Sequence, residues 1–273
     1  LLAYAKASLD MKCHGQTPLM SAVGKGNIGA AQVLIDAGAQ LNVRDAQGNT
    51  ALHMAVQDGD LNSAKSLLAA KAALNVKNND GQTPLILAAS NGDAAMAFLL
   101  ADAASSLDTV DRDGNTALTL AAQNDDTDTI KVLINAKASI STKNNKGLTP
   151  LMLALNQLND DATQILMNAT DAKGNTTIAL AAKNGDVELF KKLTATSAFL
   201  TVKNSAEGGE LLMIAIDNGH IDAAQVLLDV GVELNTTTQS GFTALMAAAS
   251  TGNIDVLMRL ITISSKESLN AVS

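Results

Sequence analysis

Four short stretches of this 273-residue chain carry residue types that could do chemistry. Gly24-Lys25-Gly26-Asn27-Ile28-Gly29 has the spacing of a dinucleotide loop, in which glycines let backbone approach a pyrophosphate at a helix N-terminus. The residues before it read as a helix, however, and that motif needs a strand. Gly26 also shares its place with Gly59, Gly92, Gly185, Gly219 and Gly252, so it is read as a break between paired helices. Asp111-Arg112-Asp113-Gly114-Asn115 begins like a calcium loop, but its glycine comes two positions early and Ala122 stands where a bidentate Glu is required. Cys13-His14 offers two metal ligands or a nucleophile with a base. No second cysteine exists, no third group is evident, and His53 and His220 lie far off in sequence. The acidic clusters Asp125-Asp126 with Asp128, and Asp160-Asp161, fall where helices should begin, and carboxylates there are favoured by the helix dipole. No Ser/His/Asp set, P-loop or suitable carboxylate pair occurs. The reading therefore assigns no catalytic residue, no cofactor and no metal, and takes the chain as non-enzymatic.

What the stretches share is their place in a larger period. Gly81-Gln82-Thr83-Pro84-Leu85 has close copies at Gly15, Gly48, Gly114 and Gly147, and looser ones at Gly174, Gly208 and Gly241. Successive glycines are 33, 33, 33, 33, 27, 34 and 33 residues apart. A fixed period marks a repeat array, whose units stack because none can bury its apolar face alone. Within each copy glycine permits a tight turn, threonine is a good N-cap, and proline suits the first helical position. The block reads as a turn feeding a short helix, followed by small residues such as Ala88-Ala89 and Ala121-Ala122 that allow close packing.

These blocks resemble the ankyrin repeat, whose signature is Thr-Pro-Leu-His-x-Ala in about 33 residues. The resemblance covers nearly the whole chain. It implies an all-α repeat solenoid of paired helices and β-turn fingers, forming one elongated curved domain over residues 1–273. Repeats are expected from near 12, 45, 78, 111, 144, 171, 204 and 238, with 1–11 closing a partial repeat and 264–273 forming a C-terminal tail. Because the chain opens on half a unit and without Met, an upstream segment is expected to have been lost.

Departures from the period carry their own expectations. Gly38 and Gly231 hold the C-cap after second helices, whereas Lys6, Lys71, Ala104, Lys137 and Ser197 replace that glycine and should be strained. The segments Gln40–Val43, Ala73–Val76 and Ser106–Thr109 are expected to form extended finger arms. The family's histidine survives only as His53. Six residues are missing after Met167-Asn168-Ala169, so that finger should be stunted. Ser205 to Glu210 gains one residue and loses the capping Thr and Pro, so that finger should be loose. Arg259 and the tail are expected to give the last repeat a polar outer face.

Composition sets limits on partners. Apolar content of 47% supports a core, but aromatics are only 2%, leaving few binding anchors. A net charge of −8 opposes nucleic acid, which needs a basic patch to release counterions, and opposes anionic membrane surfaces. No run approaches the roughly 18 apolar residues of a membrane span. One cysteine permits no internal disulfide; it suits a cytoplasmic protein and is compatible with an exported or periplasmic one, so compartment is left open. The expectation is a monomer that binds a protein partner with a neutral or basic surface.

The family resemblance implies that fingertips and the exposed ends of the first helices line a concave recognition face. Carried onto this chain, the partner-binding positions are Gln47, Asn49, Asn79, Asp80, Gln82, Arg112, Asp113, Asn115, Asn145, Lys146, Leu148, Lys173 and Phe242. The helix ends are Lys25, Gln57 with Asp58, Ser90 with Asn91, Gln123 with Asn124, and Asn156 with Gln157. Leu148 and Phe242 are apolar where polar residues are usual, and are read either as anchors or as packing on the neighbouring finger. A notch between the stunted and loosened fingers is expected to admit a partner's loop. Two uses fit: an inhibitor or immunity-type protein capping an enzyme, or an adaptor or effector scaffold joining proteins.

Overall fold

Seven threonines, Thr17, Thr50, Thr83, Thr116, Thr149, Thr176 and Thr243, each accept a hydrogen bond from the backbone N–H three residues on. Pro18, Pro84 and Pro150 follow at the first helical position. These caps satisfy otherwise orphan donors and fix where each first helix starts. Asn27, Asp60, Asp93, Asp126 and Asp186 cap the second helices in the same way. The computed structural model describes residues 9–157, 160–237 and 241–270, with the side chains of 160 and 266–270 excepted. The expectations for residues 1–8, Lys6 among them, and for residues 271–273 lie outside the described residues. Seventeen helices and no strand occur among those described, so the chain is an all-α repeat solenoid in class. It divides into two compact units, Leu1–Gln157 and Leu158–Ser273.

In the first unit the first helices are α1 Pro18–Val23, α3 Ala51–Gln57, α5 Pro84–Asn91, α7 Ala117–Gln123 and α9 Pro150–Asn156. The second helices are α2 Ile28–Asp36, α4 Leu61–Ala69, α6 Ala94–Asp102 and α8 Thr127–Asn135. Each set packs as a row, successive members touching. The repeated Leu19, Leu52, Leu85, Leu118 and Leu151 are at most 1% exposed. Burying a leucine contributes about 1.5–3 kcal/mol, so one leucine per repeat makes a continuous core. Alanines 55, 88, 89, 121 and 122 lie fully buried beside them, which lets the rows approach closely.

The expected extended arms are not strands. Each repeat is tied to the next instead by an acidic or amide side chain, as Asp10, Asn42, Asn75 and Asp108 accept from the N–H of Gln40, Ala73, Ser106 and Ser139 at 2.7–2.9 Å. A side-chain acceptor replaces the backbone partner a strand would use. The strain expected at the missing C-cap glycines is present: Lys71, Ala104 and Lys137 hold φ of 66°, 65° and 70°. Asp125 adds a fourth such residue, at φ 60°, in the place where other repeats have glycine.

The second unit contains α10 Asp160–Asn168, α11 Thr177–Asn184, α12 Val187–Leu193, α13 Ser197–Lys203, α14 Ala206–Asp217, α15 Ile221–Val230, α16 Ala244–Ser250 and α17 Ile254–Asn270. Three expectations are corrected here. Ser197 does not strain a turn; it opens α13, which forms because Ala198, Phe199 and Val202 share a buried face. Phe199 meets Phe190 of α12 edge-to-face, centroids 6.5 Å apart. Ser205 to Glu210 is not a loose finger, since α14 begins at Ala206. Its Gly208 and Gly209 are buried helix residues: a Cβ on Gly209 would stand 2.5 Å from the Glu233 carbonyl, so their role is close packing rather than looseness. The six-residue deletion removes the exit loop after α10 but leaves a complete turn, closed by the Thr170–Thr176 bridge.

The last repeat is also less polar than expected. Arg259 is not an outward cap but pairs with Asp229 of α15. Ile254, Met258 and Ile261, on one face of α17, are 71%, 59% and 45% exposed. Residues 264–270, expected as a tail, continue the helix.

Candidate functional site

A turn of one design recurs in both units. Asp45, Asn78, Asp111 and Asn144 each accept two backbone N–H bonds through one side-chain oxygen, from residues two and four positions on, at 2.8–3.0 Å. Asp171 does the same for Lys173 and Asn175. A short polar side chain thus takes over the bonding of the turn's own backbone. The Asn175 side chain donates to Asp171 at 2.9 Å, which with these amides holds that carboxyl below its ordinary range.

In the first unit the turns are bonded to one another. Asn79 N–H donates to the Gln47 carbonyl at 2.9 Å, Arg112 N–H to Asp80 at 3.3 Å, and Asn145 N–H to Asp113 at 2.9 Å. Asn79 and Asn145 add side-chain bonds to the Ala46 and Arg112 carbonyls at 2.9 Å. Gly48 and Gly114 have φ of 80° and 78°, and a Cβ on either would lie 2.5 Å from the next turn's Asn oxygen. Beneath the turns, His53 completes a capping box with Thr50 and bridges to the Gln82 carbonyl at 3.1 Å through Nε2. Burial outweighs that bond and lowers the His53 pKa.

This bonding sorts the expected partner-binding residues. Gln47, Asp80, Arg112, Asp113, Asn145 and Lys146 are exposed on a row of linked tips, and Lys173 is exposed on the turn of the second unit. Asp80 and Arg112 stand 3.8 Å apart across neighbouring tips, an exposed pair of small energetic worth. Asn115 is a correction: it is buried, accepting from Asn144 at 3.0 Å and donating toward Asp111. Asn49 and Gln82, half-buried, both accept from Asn78. Asn79 is exposed, but its amide serves the turn stack. Leu148 and Phe242 are half-buried rather than protruding. The first-helix ends from Lys25 to Gln157 are all exposed, and Asn124 reaches back to the Ser90 carbonyl at 3.0 Å. The expected notch lacks its second finger, because residues 206–217 are α14.

The remaining chemical candidates resolve as structure. Gly24 ends α1, Gly26 turns at φ 63° and Gly29 lies in α2. Asp126 caps α8, and Asp128 pairs with Lys131 at 3.3 Å. Cys13 and His14 are exposed neighbours, Sγ and Nδ1 3.2 Å apart, and no group of three metal-ligating side chains occurs among the described residues. One surface feature went unread in the sequence: Phe98 of α6 is 61% exposed, beside Val132 of α8 over a cavity of about 390 Å³. Its signal was available, since Ala94 to Leu100 is apolar all round and must expose something.

Fold and site together define a helical repeat protein that lays out rigid polar turns at a fixed spacing. A family model described as ankyrin repeats (3 copies) matches residues 1–78, 52–144, 97–178, 120–204 and 178–271. The chain belongs to the ankyrin-repeat family. Ankyrin repeats are generally protein–protein interaction modules, and the family is typically non-enzymatic.

Proposed function

We propose that this chain is a non-enzymatic recognition module that binds a protein partner through the linked turn tips of residues 45–148 and the adjoining first-helix ends. The observation that carries the reading is the backbone bonding between successive tips, which fixes Gln47, Asp80, Arg112, Asp113 and Lys146 before any partner arrives. Preorganised polar groups lose little entropy on docking, so they bind more tightly than the same groups on mobile loops. In the second unit, taken by itself, Lys173 and Phe242 are the candidate contacts. The net charge of −8 supports a partner with a neutral or basic surface.

Within this reading the partner is an enzyme whose active site the module covers. The test is capture of the partner by the whole chain, repeated with Arg112→Ala and Lys146→Ala. An enzyme bound stoichiometrically and silenced, with both effects weakened by the variants, supports it. Several bound proteins with undiminished activities would instead make the chain an adaptor. Capture insensitive to both variants would move the surface elsewhere.

A further inference from the structure

The second unit contains a groove that the repeat pattern does not account for. It has a volume of about 420 Å³ and lies between the turn at Gly174 to Thr176 and one face of α14. Ala179 and Ile214, both half-buried, give it an apolar wall backed by the buried Leu211, and Glu207 and Glu210 stand beside that wall. In the first unit the turns at 45–48, 78–81 and 111–114 are each bonded to the turn that follows. Here α14 begins at Ala206, and its first turns take the place of a finger.

The two carboxylates are three residues apart on one helix face, and no lysine or arginine pairs with either among the described residues. The α14 dipole favours Glu207, which lies in the first turn, but it does not account for Glu210 a turn later. Burial, and then repulsion from Glu210, push the Glu207 carboxyl up from its ordinary value. A like-charge pair over an apolar wall is unfavourable until a cation with an apolar stem fills it. Lysine and arginine have that shape, a run of methylenes ending in charge.

We propose that this groove receives a lysine or arginine side chain of a protein partner, its stem on Ala179 and Ile214 and its head between Glu207 and Glu210. The proposal rests on the reading of the chain as a protein-binding module and adds the chemistry of the partner's anchor.

The experiment titrates the whole chain with the peptide Gly-Ser-Arg-Ser-Gly, following the methyls of Ala179 and Ile214 and the Glu207 carboxyl by NMR. A norleucine peptide in place of the arginine one, and calcium ion alone, are run beside it. Saturable methyl shifts with the arginine peptide, and a fall in the Glu207 pKa on saturation, are expected. Glu207→Gln/Glu210→Gln should weaken binding about tenfold or more, the scale of a lost charge-assisted hydrogen bond. Asp36→Asn/Asp255→Asn, which changes net charge equally at exposed sites, should leave it unchanged. Equal binding of the norleucine peptide, equal loss in the control variant, or a response to calcium only would overturn the proposal. Arg112→Ala does not enter this titration, so the groove and the finger row can fail independently.

Discussion

Gly114→Ala measures how much the linked turns depend on close approach. Two costs arise. Holding a Cβ at φ 78° costs about 1–2 kcal/mol, because the left-handed region crowds it against the following carbonyl. The new Cβ would also lie 2.5 Å from the Asn145 Oδ1 and 2.8 Å from its backbone nitrogen. The next turn must then back away, and the bonds from Asn145 to the Asp113 and Arg112 carbonyls stretch or break. At about 1 kcal/mol net for each bond, the total becomes about 3–4 kcal/mol. Gly26→Ala supplies the comparison: its φ is 63°, and nothing lies within 4 Å of the added carbon. It should cost only the backbone part, about 1–2 kcal/mol. Urea unfolding followed by circular dichroism gives both losses. Adding Asn145→Ala removes the clashing oxygen, so the double variant should lose less than the two singles together. Equal losses at Gly114 and Gly26, or simple additivity with Asn145→Ala, would refute the claim that the turns bear on one another.

Lys71→Gly and Lys137→Gly remove a Cβ from left-handed backbone and should each stabilise the chain by about 0.5–1 kcal/mol, after glycine's own entropic cost, as read from urea midpoints. Gly209→Ala should destabilise by about 1–3 kcal/mol in a thermal melt although alanine is the better helix former, because the new carbon would strike Thr236 and the Glu233 carbonyl. The lowered pKa of His53 means that, between its folded value and 6.5, the unfolded chain binds a proton that the folded chain does not. Stability from this group is therefore present above pH 6.5 and lost as pH falls into that window. His53→Gln should remove that part of the slope between pH 8 and pH 5, and an unchanged slope would contradict the burial of a neutral imidazole.

The repeat, the caps and the turn positions were legible because they rest on local chemistry. Thr-Pro and Thr-Ala pairs fix helix starts, and a glycine two residues before each Thr permits the turn, whatever lies beyond. Misreadings fell where a residue's role depends on a distant neighbour. Gly208-Gly209 looked like a turn because nothing local shows the 232–236 segment that α14 must approach. Ser197 looked like a faulty cap because the pairing of Phe199 with Phe190 joins separate helices. Asn115 looked like a tip residue because its partner, Asn144, lies 29 positions away. The Glu207–Glu210 pair was hidden in a supposed finger, though its three-residue spacing ahead of Leu211-Leu212-Met213 was a helical signal.

The most direct test is hydrogen–deuterium exchange on the whole chain with and without its captured partner. The account predicts added protection at the turn tips 45–48, 78–81, 111–114 and 144–147, strongest around Arg112 and Asp113, with the second helices α2, α4, α6 and α8 unchanged. Protection confined to the second helices, around Phe98 and Val132, with the tips unaffected, would contradict it.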